Sequence, residues 1–379
     1  NNFAIFFIET SISIKNIAKL FKMFIIMFIQ SDRQKTKGLE SMKTTIRRIS
    51  EATGFSAATI SNALNRKKGV NPRTAEEIFK TASEMGYLQA AQQRKIHFVM
   101  YRTNGLITDD TPFFTMMMDG FQSECRRRGY DMVINYLDRR AADFKNQLDI
   151  LLEDRDSLVA LMGAELMDQD LHYFSRARCR MVTLDYWSED LPYSGIITNN
   201  TESARTAVNY LVEKGHRRLG HLRGDYRIKA FKLREAGYRA ALAEQGIPYD
   251  PGYTVTVSTT MDGAYRDMLA YLKKKPGLAD AYFADNDMIA LGCMKALQEC
   301  GIQIPGDVSL IGFDDLPFCD IVSPRLTSLR VPKQELGQMA VRRLLDIAEE
   351  GMDTKTQTLV STRFVERDSV RDANGSDTI

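Results

Sequence analysis

From Ile96 onward, short apolar runs alternate with amphipathic stretches. Runs at Ile96–Tyr101, Asp131–Tyr136, Ser157–Met162, Arg180–Leu184 and Ser194–Thr198 read as strands. So do Arg218–Leu222, Thr254–Val257, Ala281–Ala284 and Val308–Phe313. Between them, periodic apolar positions predict helices at Phe114–Arg128, Phe144–Leu152, Thr201–Lys214, Phe231–Gln245, Gly263–Lys273 and Met288–Glu299. Such alternation argues for parallel sheets with helices on both faces. About 230 residues of it exceed one comfortable sheet, so two lobes are expected.

Upstream the pattern changes. Ile46, Ile49 and Ala52 fall three apart and mark one face of a short helix. Gly54 supplies a turn residue that tolerates positive φ. Ser56 is placed to cap a second helix, with Thr59 three positions on. Ile60 and Leu64 give that helix its buried stripe. Ala57, Ala58, Thr59, Ser61, Asn62 and Asn65 are left as a small polar face, slim enough for the major groove of DNA. Asn71, Pro72 and a stripe of Ile78, Ala82 and Met85 predict a third helix, which Gly86 ends.

Charge bears on whether this is a plain three-helix bundle or a nucleic-acid reader. Residues 43–95 carry ten Lys/Arg against four Glu, a net +6. Residues 1–42 carry +3, so a chain total of +2 leaves −7 for residues 96–379. A basic end on an acidic body suits nucleic-acid binding by that end alone. Arg66-Lys67-Lys68 follows the candidate recognition helix, where a phosphate would lie.

Other chemistries find no support. Five cysteines, an odd number with no Cys-x-x-Cys, indicate neither a disulfide framework nor a zinc site. The four histidines are widely scattered. No P-loop, G-x-G-x-x-G or supported Ser-His-Asp arrangement occurs, so no enzyme, no metal and no cofactor is expected. A reducing cytoplasm is the natural compartment. The longest apolar run near the start, Met23–Ile29, is far short of the roughly 20 residues that span a bilayer, so no membrane partner is expected. Residues 1–42 do not fit the rest, and residues 1–41 are expected to be translated upstream sequence or an artefact ahead of a working protein that starts at Met42.

Thr45-Ile46, Ile49-Ser50, Ala52, Gly54-Phe55-Ser56, Thr59-Ile60-Ser61, Leu64-Asn65, Val70-Asn71, Thr74, Ile78 and Gly86-Tyr87 form one long pattern. It resembles the DNA-binding head of the LacI/GalR family of bacterial transcriptional repressors. The likeness continues through Gly215-His216-Arg217-Arg218, Asn286-Asp287, Pro305 to Asp315, Pro324-x-Leu326-Thr327 and a helix at Glu335–Leu345. It covers roughly residues 44–370. It implies a helix-turn-helix, three-helix head at 43–88, a linker at 89–95 and a two-lobed core at 96–370 similar to periplasmic binding proteins. Operator DNA, a small sugar or sugar phosphate effector and a homodimer are the implied partners. The family's hinge helix carries a Leu that wedges into the minor groove. Ala90–Lys95 holds no such Leu, which weakens that carry-over.

By the resemblance, Ala57, Ala58 and Asn62 occupy base-reading positions. Asn62 stands where Arg is frequent, so an adenine contact is expected in place of guanine. Thr45, Ser56, Thr59, Ser61, Asn65, Arg66, Lys67 and Lys68 would hold phosphates. In open α/β sheets ligands lie beyond the carboxyl ends of the strands. There a sugar needs polar groups for its hydroxyls and an aromatic for its ring face. Asp287 and Lys232 offer charge; Phe113, Phe114, Tyr186 and Trp187 offer rings. Asn286 reads equally as a helix cap, and the Phe pair as lobe core. The resemblance implies that Asp287 is the acidic effector contact and that Lys232 replaces an Arg, which would favour an unusual or phosphorylated effector. The rival from another class is a solute-binding protein of a sugar transport system.

Overall fold

The computed structural model describes residues 46–64, 70–85, 95–109 and 111–374. The leader at 1–42, Thr45, Asn65, Arg66, Lys67, Lys68, Gly86 and residues 89–94 of the linker lie outside the described residues. The chain divides into two compact units, residues 1–92 and 93–379.

In the first unit, residues 46–53 form α1, Ala57–Leu64 form α2 and Pro72–Glu84 form α3. Gly54, at φ +72°, makes the turn after α1. The Ser56 hydroxyl caps α2 by accepting from the Thr59 N–H at 3.1 Å. Asn71 caps α3 through the Arg73 N–H at 3.0 Å, with Pro72 as its first residue. The apolar centre is Ile49, Ile60, Ala63, Ile78 and Ala82. Three expected stripe positions differ. Ala52 is exposed, because steps of three drift by about 60° each around a 3.6-residue turn. Leu64 packs against that centre but is only half-buried, and Ala63 takes the fully buried position. Met85 is 40% exposed, since it caps α3 where the chain leaves the helix.

The second unit has two α/β lobes. The first lobe is a six-stranded parallel sheet. Its strands are β1 (Lys95–Arg102), β2 (Asp131–Asp138), β3 (Leu158–Met162), β4 (Arg180–Leu184), β5 (Ser194–Thr198) and β11 (Gln357–Val360), in the order β11-β5-β4-β3-β1-β2. Helices α4 (Phe113–Arg128), α5 (Phe144–Glu153) and α10 (Lys333–Glu350) cover it. The second lobe is a four-stranded parallel sheet of order β7-β6-β8-β9. These strands are β6 (Leu219–Gly224), β7 (Thr254–Val257), β8 (Ala281–Ala284) and β9 (Ser309–Ile311). Helices α6 (Asn200–Glu213), α7 (Lys229–Glu244), α8 (Met261–Leu272) and α9 (Asp287–Glu299) flank it. An antiparallel pair, β10 (Ser328–Arg330) with β12 (Arg363–Val365), completes the molecule.

The chain passes between lobes three times: after β5, between β10 and α10, and between β11 and β12. In the first lobe α4 and α10 pack almost backbone to backbone. A Cβ on Gly337 would sit 2.2 Å from the Met117 carbonyl oxygen, and one on Gly120 2.1 Å from that of Gln334. The two glycines are therefore what lets those helices meet.

Candidate functional site

Every residue of the main cleft follows the carboxyl end of a parallel strand or starts a helix that does. The loop after β1 brings Ile107, Thr111, Phe113 and Phe114. The residue after β4 is Asp185, and the loop after β6 leads into α7 with Ile228, Ala230, Phe231 and Arg234. Asn286 follows β8 and Asp314 follows β9. Strand carbonyl ends leave room and polarity there, because the chain must turn before the covering helix begins.

The β1 loop is held by one buried carboxylate. Glu165 Oε2 accepts from the N–H groups of Thr103 (2.8 Å), Asn104 (3.0 Å) and Gly105 (2.9 Å). Its Oε1 accepts from Ile107 (3.0 Å) and Thr108 (3.3 Å). That anchor sets the approach to Phe113 and Phe114, which pack edge to face at 5.1 Å.

Arg234 is the central cation, 4% exposed. Its Nε donates to Asn200 Oδ1 at 2.8 Å and its Nη1 to the Asp285 carbonyl. Its Nη2 lies 3.6 Å from Asp314 Oδ1, and the guanidinium stacks 3.6 Å over the Phe313 ring. Asp285 is fixed in turn by His221 at 2.9 Å, the Gly224 N–H at 2.9 Å and Arg227. Although burial opposes it, His221 and Arg227 hold the Asp285 carboxyl below its usual range.

Asp185 faces this cation from the first lobe. Burial pushes its carboxyl up to about 7, against the pull of Arg234 and with a push from Asp314. Burial also raises Asp314, against Arg234 and Lys333. Asp185, Asp314 and Asp315 hold positive φ (56°, 112° and 52°), three of the four such non-glycine residues among those described. Left-handed backbone at a non-glycine residue is a strain that clusters at ligand sites.

The sequence-expected ligand residues separate. Phe113 and Phe114 line the cleft in front of Arg234. Trp187 lines an adjoining chamber with Tyr186, and Asp185 and Ala230 border both spaces. Lys232 lines neither. It is exposed on α7 and borders an outer hollow with Met167 and Asp168. Two residues along a helix turn about 200°, so Lys232 and Arg234 face opposite ways. Asp287 also lies outside both spaces, with 0% exposure. Its carboxylate accepts from the Leu316 N–H (2.7 Å), the Ser328 hydroxyl (2.7 Å) and the Cys319 thiol (3.2 Å), stitching α9 to the segments after β9. Burial and the neighbouring Asp314 raise its pKa. The Asn286 side chain caps α9 through the Ile289 N–H at 3.0 Å, as the helix-cap reading has it, and the residue also borders the cleft.

Arg234 and Asp185 were missed. A signal for Arg234 existed: it falls on the buried stripe of α7 with Ala230, Phe231, Gly237 and Tyr238. A charge on an apolar stripe marks a site or an ion pair. Nothing local singles out Asp185.

In the first unit, α2 presents Ala57, Ala58 and Asn62 to solvent, with Thr59 and Ser61 half-buried. The hydroxyls of Ser56 and Thr59 lie 2.8 Å apart at the start of α2.

Two parallel α/β lobes meeting over a polar cleft at their strand ends define a protein of the periplasmic-binding-protein class. A profile of periplasmic binding protein-like domains matches residues 208–370. The repressor PurR of Vibrio atlanticus is 30% identical over 335 residues, covering 87% of this chain and 99% of that protein. The ribose operon repressor of Haemophilus influenzae is 26% identical over 329 residues, 86% of this chain and 98% of its own length. A lac repressor dimer, solved with operator and the anti-inducer ONPF, superposes with a TM-score of 0.64 at 23% identity, over 85% of this chain and 98% of that one. The chain belongs to the LacI/GalR family of transcriptional regulators. Its relatives are repressors, not enzymes, which sets aside the transport reading.

Proposed function

We infer that this chain is a DNA-binding repressor whose grip on its operator is set by a small carbohydrate bound between the two lobes. Residues 43–88 form a helix-turn-helix head of three helices, 89–95 a linker and 96–370 the sensing core. Within the head, Ala57, Ala58 and Asn62 read base edges. Thr45, Ser56, Thr59, Ser61, Asn65, Arg66, Lys67 and Lys68 hold phosphates. The slim exposed face of α2 and the net +6 of residues 43–95 support this.

The observation that carries the effector reading is the meeting of Asp185 from one lobe with Arg234, Asn286 and Asp314 from the other, beside Phe113 and Phe114. Carboxylates, an amide and a cation can bond vicinal hydroxyls, while the phenyl rings cover a sugar face. A ligand that touches both lobes changes their closure by its difference in affinity for the open and closed states. The effector reading takes Arg234 in place of Lys232 as the hydroxyl-binding cation, and leaves Asp287 a structural part. Arg234 is already bonded on three sides, which favours a neutral sugar over a sugar phosphate.

The working form is a homodimer in the cytoplasm, reading a roughly palindromic operator. The edge strand β2 exposes Ile134 (47%) and Tyr136 (52%), an apolar face suited to a second copy. No helix among the described residues is long and apolar enough to cross a membrane.

The test is fluorescence anisotropy of the chain on DNA from upstream of its own gene, over a salt series and with a panel of sugars and sugar phosphates. Tight, salt-sensitive and sequence-selective binding that one neutral sugar shifts is the expected result. Binding indifferent to DNA sequence would overturn the repressor reading, and a shift by sugar phosphates alone would overturn the neutral effector.

A further inference from the structure

Two helices of the core begin with a lysine. α7 starts at Lys229 in the second lobe, and α10 starts at Lys333 in the first. The first turn of a helix is the positive end of its dipole, so a cation there is locally unfavourable. A local rule broken twice points to a compensating contact elsewhere. In both cases that contact lies across the lobe junction.

Lys229 leaves the second lobe and enters the first. Its Nζ donates to the Trp187 carbonyl at 2.5 Å and lies 4.7 Å from the centre of the Tyr186 ring. The Tyr186 hydroxyl donates to Asp168 Oδ1 at 3.0 Å, so ring and acid form one receiving wall. Burial lowers the pKa of the Lys229 ammonium and Lys232 adds to that, while the first-lobe acids Asp168 and Asp190 pull the other way.

Lys333 runs the opposite way. For a lysine it is deeply placed, at 3% exposure. Its Nζ donates to the carbonyl of Asp314 and, at 3.3 Å, to that of Asp315, the pair that follows β9 in the second lobe. A third carbonyl, that of Val331 on the crossing itself, lies at 3.4 Å. The ammonium is 5.7 Å from the centre of the Phe113 ring. Burial raises the Asp314 carboxyl, and Lys333 joins Arg234 in opposing that rise.

The two contacts are reciprocal. Each lobe sends one ammonium into the other and seats it on backbone carbonyls. Hydrogen bonds from a charged donor are the stronger kind, and a carbonyl stripped of its donor inside the protein is costly. The lobes stand close here: the free space in front of Arg234 is about 30 Å³. One water needs about 10–15 Å³ and a benzene-sized ring about 150 Å³, so that gap admits little more than water. We propose that Lys229 and Lys333 are paired latches that hold the two lobes together, each carried by one lobe and seated on the carbonyls of the other. Closure is then set by the chain's own side chains, and the apparent affinity of any effector is reduced by the fraction of chain that is open. The latches do not depend on what that effector is.

The experiment measures lobe opening in the full chain with neither DNA nor sugar added, so its failure leaves the repressor and effector readings standing. Ile107→Cys, in every chain tested, places a thiol at a buried position in the cleft. Its rate of alkylation by iodoacetamide, divided by the rate for the same chain unfolded in urea, reads the open fraction. Native Cys125 and Cys293, each at 0% exposure within its own lobe, report any global unfolding in the same digest. Lys333→Met removes a charged donor and should raise the open fraction about tenfold, and Lys229→Met should do the same. The two together should reach about a hundredfold if the latches act independently. Lys232→Met, at an exposed position on α7, is the control and should stay within about twofold of the parent. Rates within about twofold of the parent in both latch variants overturn the proposal. So does labelling of Cys125 and Cys293 that speeds in step with the cleft thiol, since the lysines would then serve the whole fold and not the junction. If Lys333→Met fails to fold, Lys229→Met, at a half-buried position, decides alone.

Discussion

Replacing Glu165 by Gln tests whether one buried carboxylate organises the approach to the cleft. The substitution keeps the shape of a side chain that is 0% exposed. It turns one oxygen, which accepts from at least two backbone N–H groups, into an NH2 donor facing them. Each buried N–H left without an acceptor costs about 1–3 kcal/mol, so the loss should be about 2–6 kcal/mol. That is a large part of the roughly 5–15 kcal/mol by which domains are stable. The assay is urea unfolding of the full chain, followed by circular dichroism at neutral pH. The midpoint should fall by about 1 M or more with little change in slope. Glu153→Gln, at an exposed position on α5, is the control and should stay within about 0.5 kcal/mol. Because the same loop delivers Phe113 and Phe114, effector affinity should drop in step. A loss below about 1 kcal/mol for Glu165→Gln would refute the reasoning, since the N–H groups would then have found other acceptors.

Gly337→Ala places a Cβ against the Met117 carbonyl and should separate α4 from α10 at about 1–3 kcal/mol; thermal unfolding indistinguishable from the parent would count against that contact. Asp185 titrates near 7 when folded and near 4 when unfolded, so the folded state holds the extra proton between those values. Its contribution to stability should therefore fall as pH rises from 4 to 7 and stay low above. Asp185→Asn should gain on the parent between urea unfolding at pH 4.5 and at pH 8, and an equal difference at both would refute the raised pKa. Asn62→Ala should relax preference at one base pair per half-site by about 1–3 kcal/mol, read by anisotropy on single-base operator variants. Uniform weakening on every variant would assign Asn62 to the phosphates.

Most elements of the core were legible because their signal is local. The strand Arg180–Leu184 and the helix Met288–Glu299 lie within a residue of their observed ends. Each buries a contiguous face whose period shows in a dozen residues. The short strands β10, β11 and β12 were not read; β7, β8 and β9 are as short, but they stand in the strand–helix alternation, which β10, β11 and β12 fall outside. They matter because the chain changes lobes around them. The cleft was legible only in part. Phe113 and Phe114 were found from their place after β1. The meeting of Arg234 and Asp185 in one cleft was not, since 49 positions and a lobe boundary separate them.

The sequence alone determined the period of most core helices and strands, the turn at Gly54, the caps at Ser56 and Asn71 and the basic character of one end. All of these depend on neighbours within about one helical turn or on summed charge. Only the tertiary structure decided that α7 turns Arg234 inward and Lys232 outward, and that Asp287 is spent on Leu316, Ser328 and Cys319. It alone set a roomy chamber beside Trp187. Those outcomes depend on which strand ends converge, and the burial of whole helix faces against distant sheets sets that convergence.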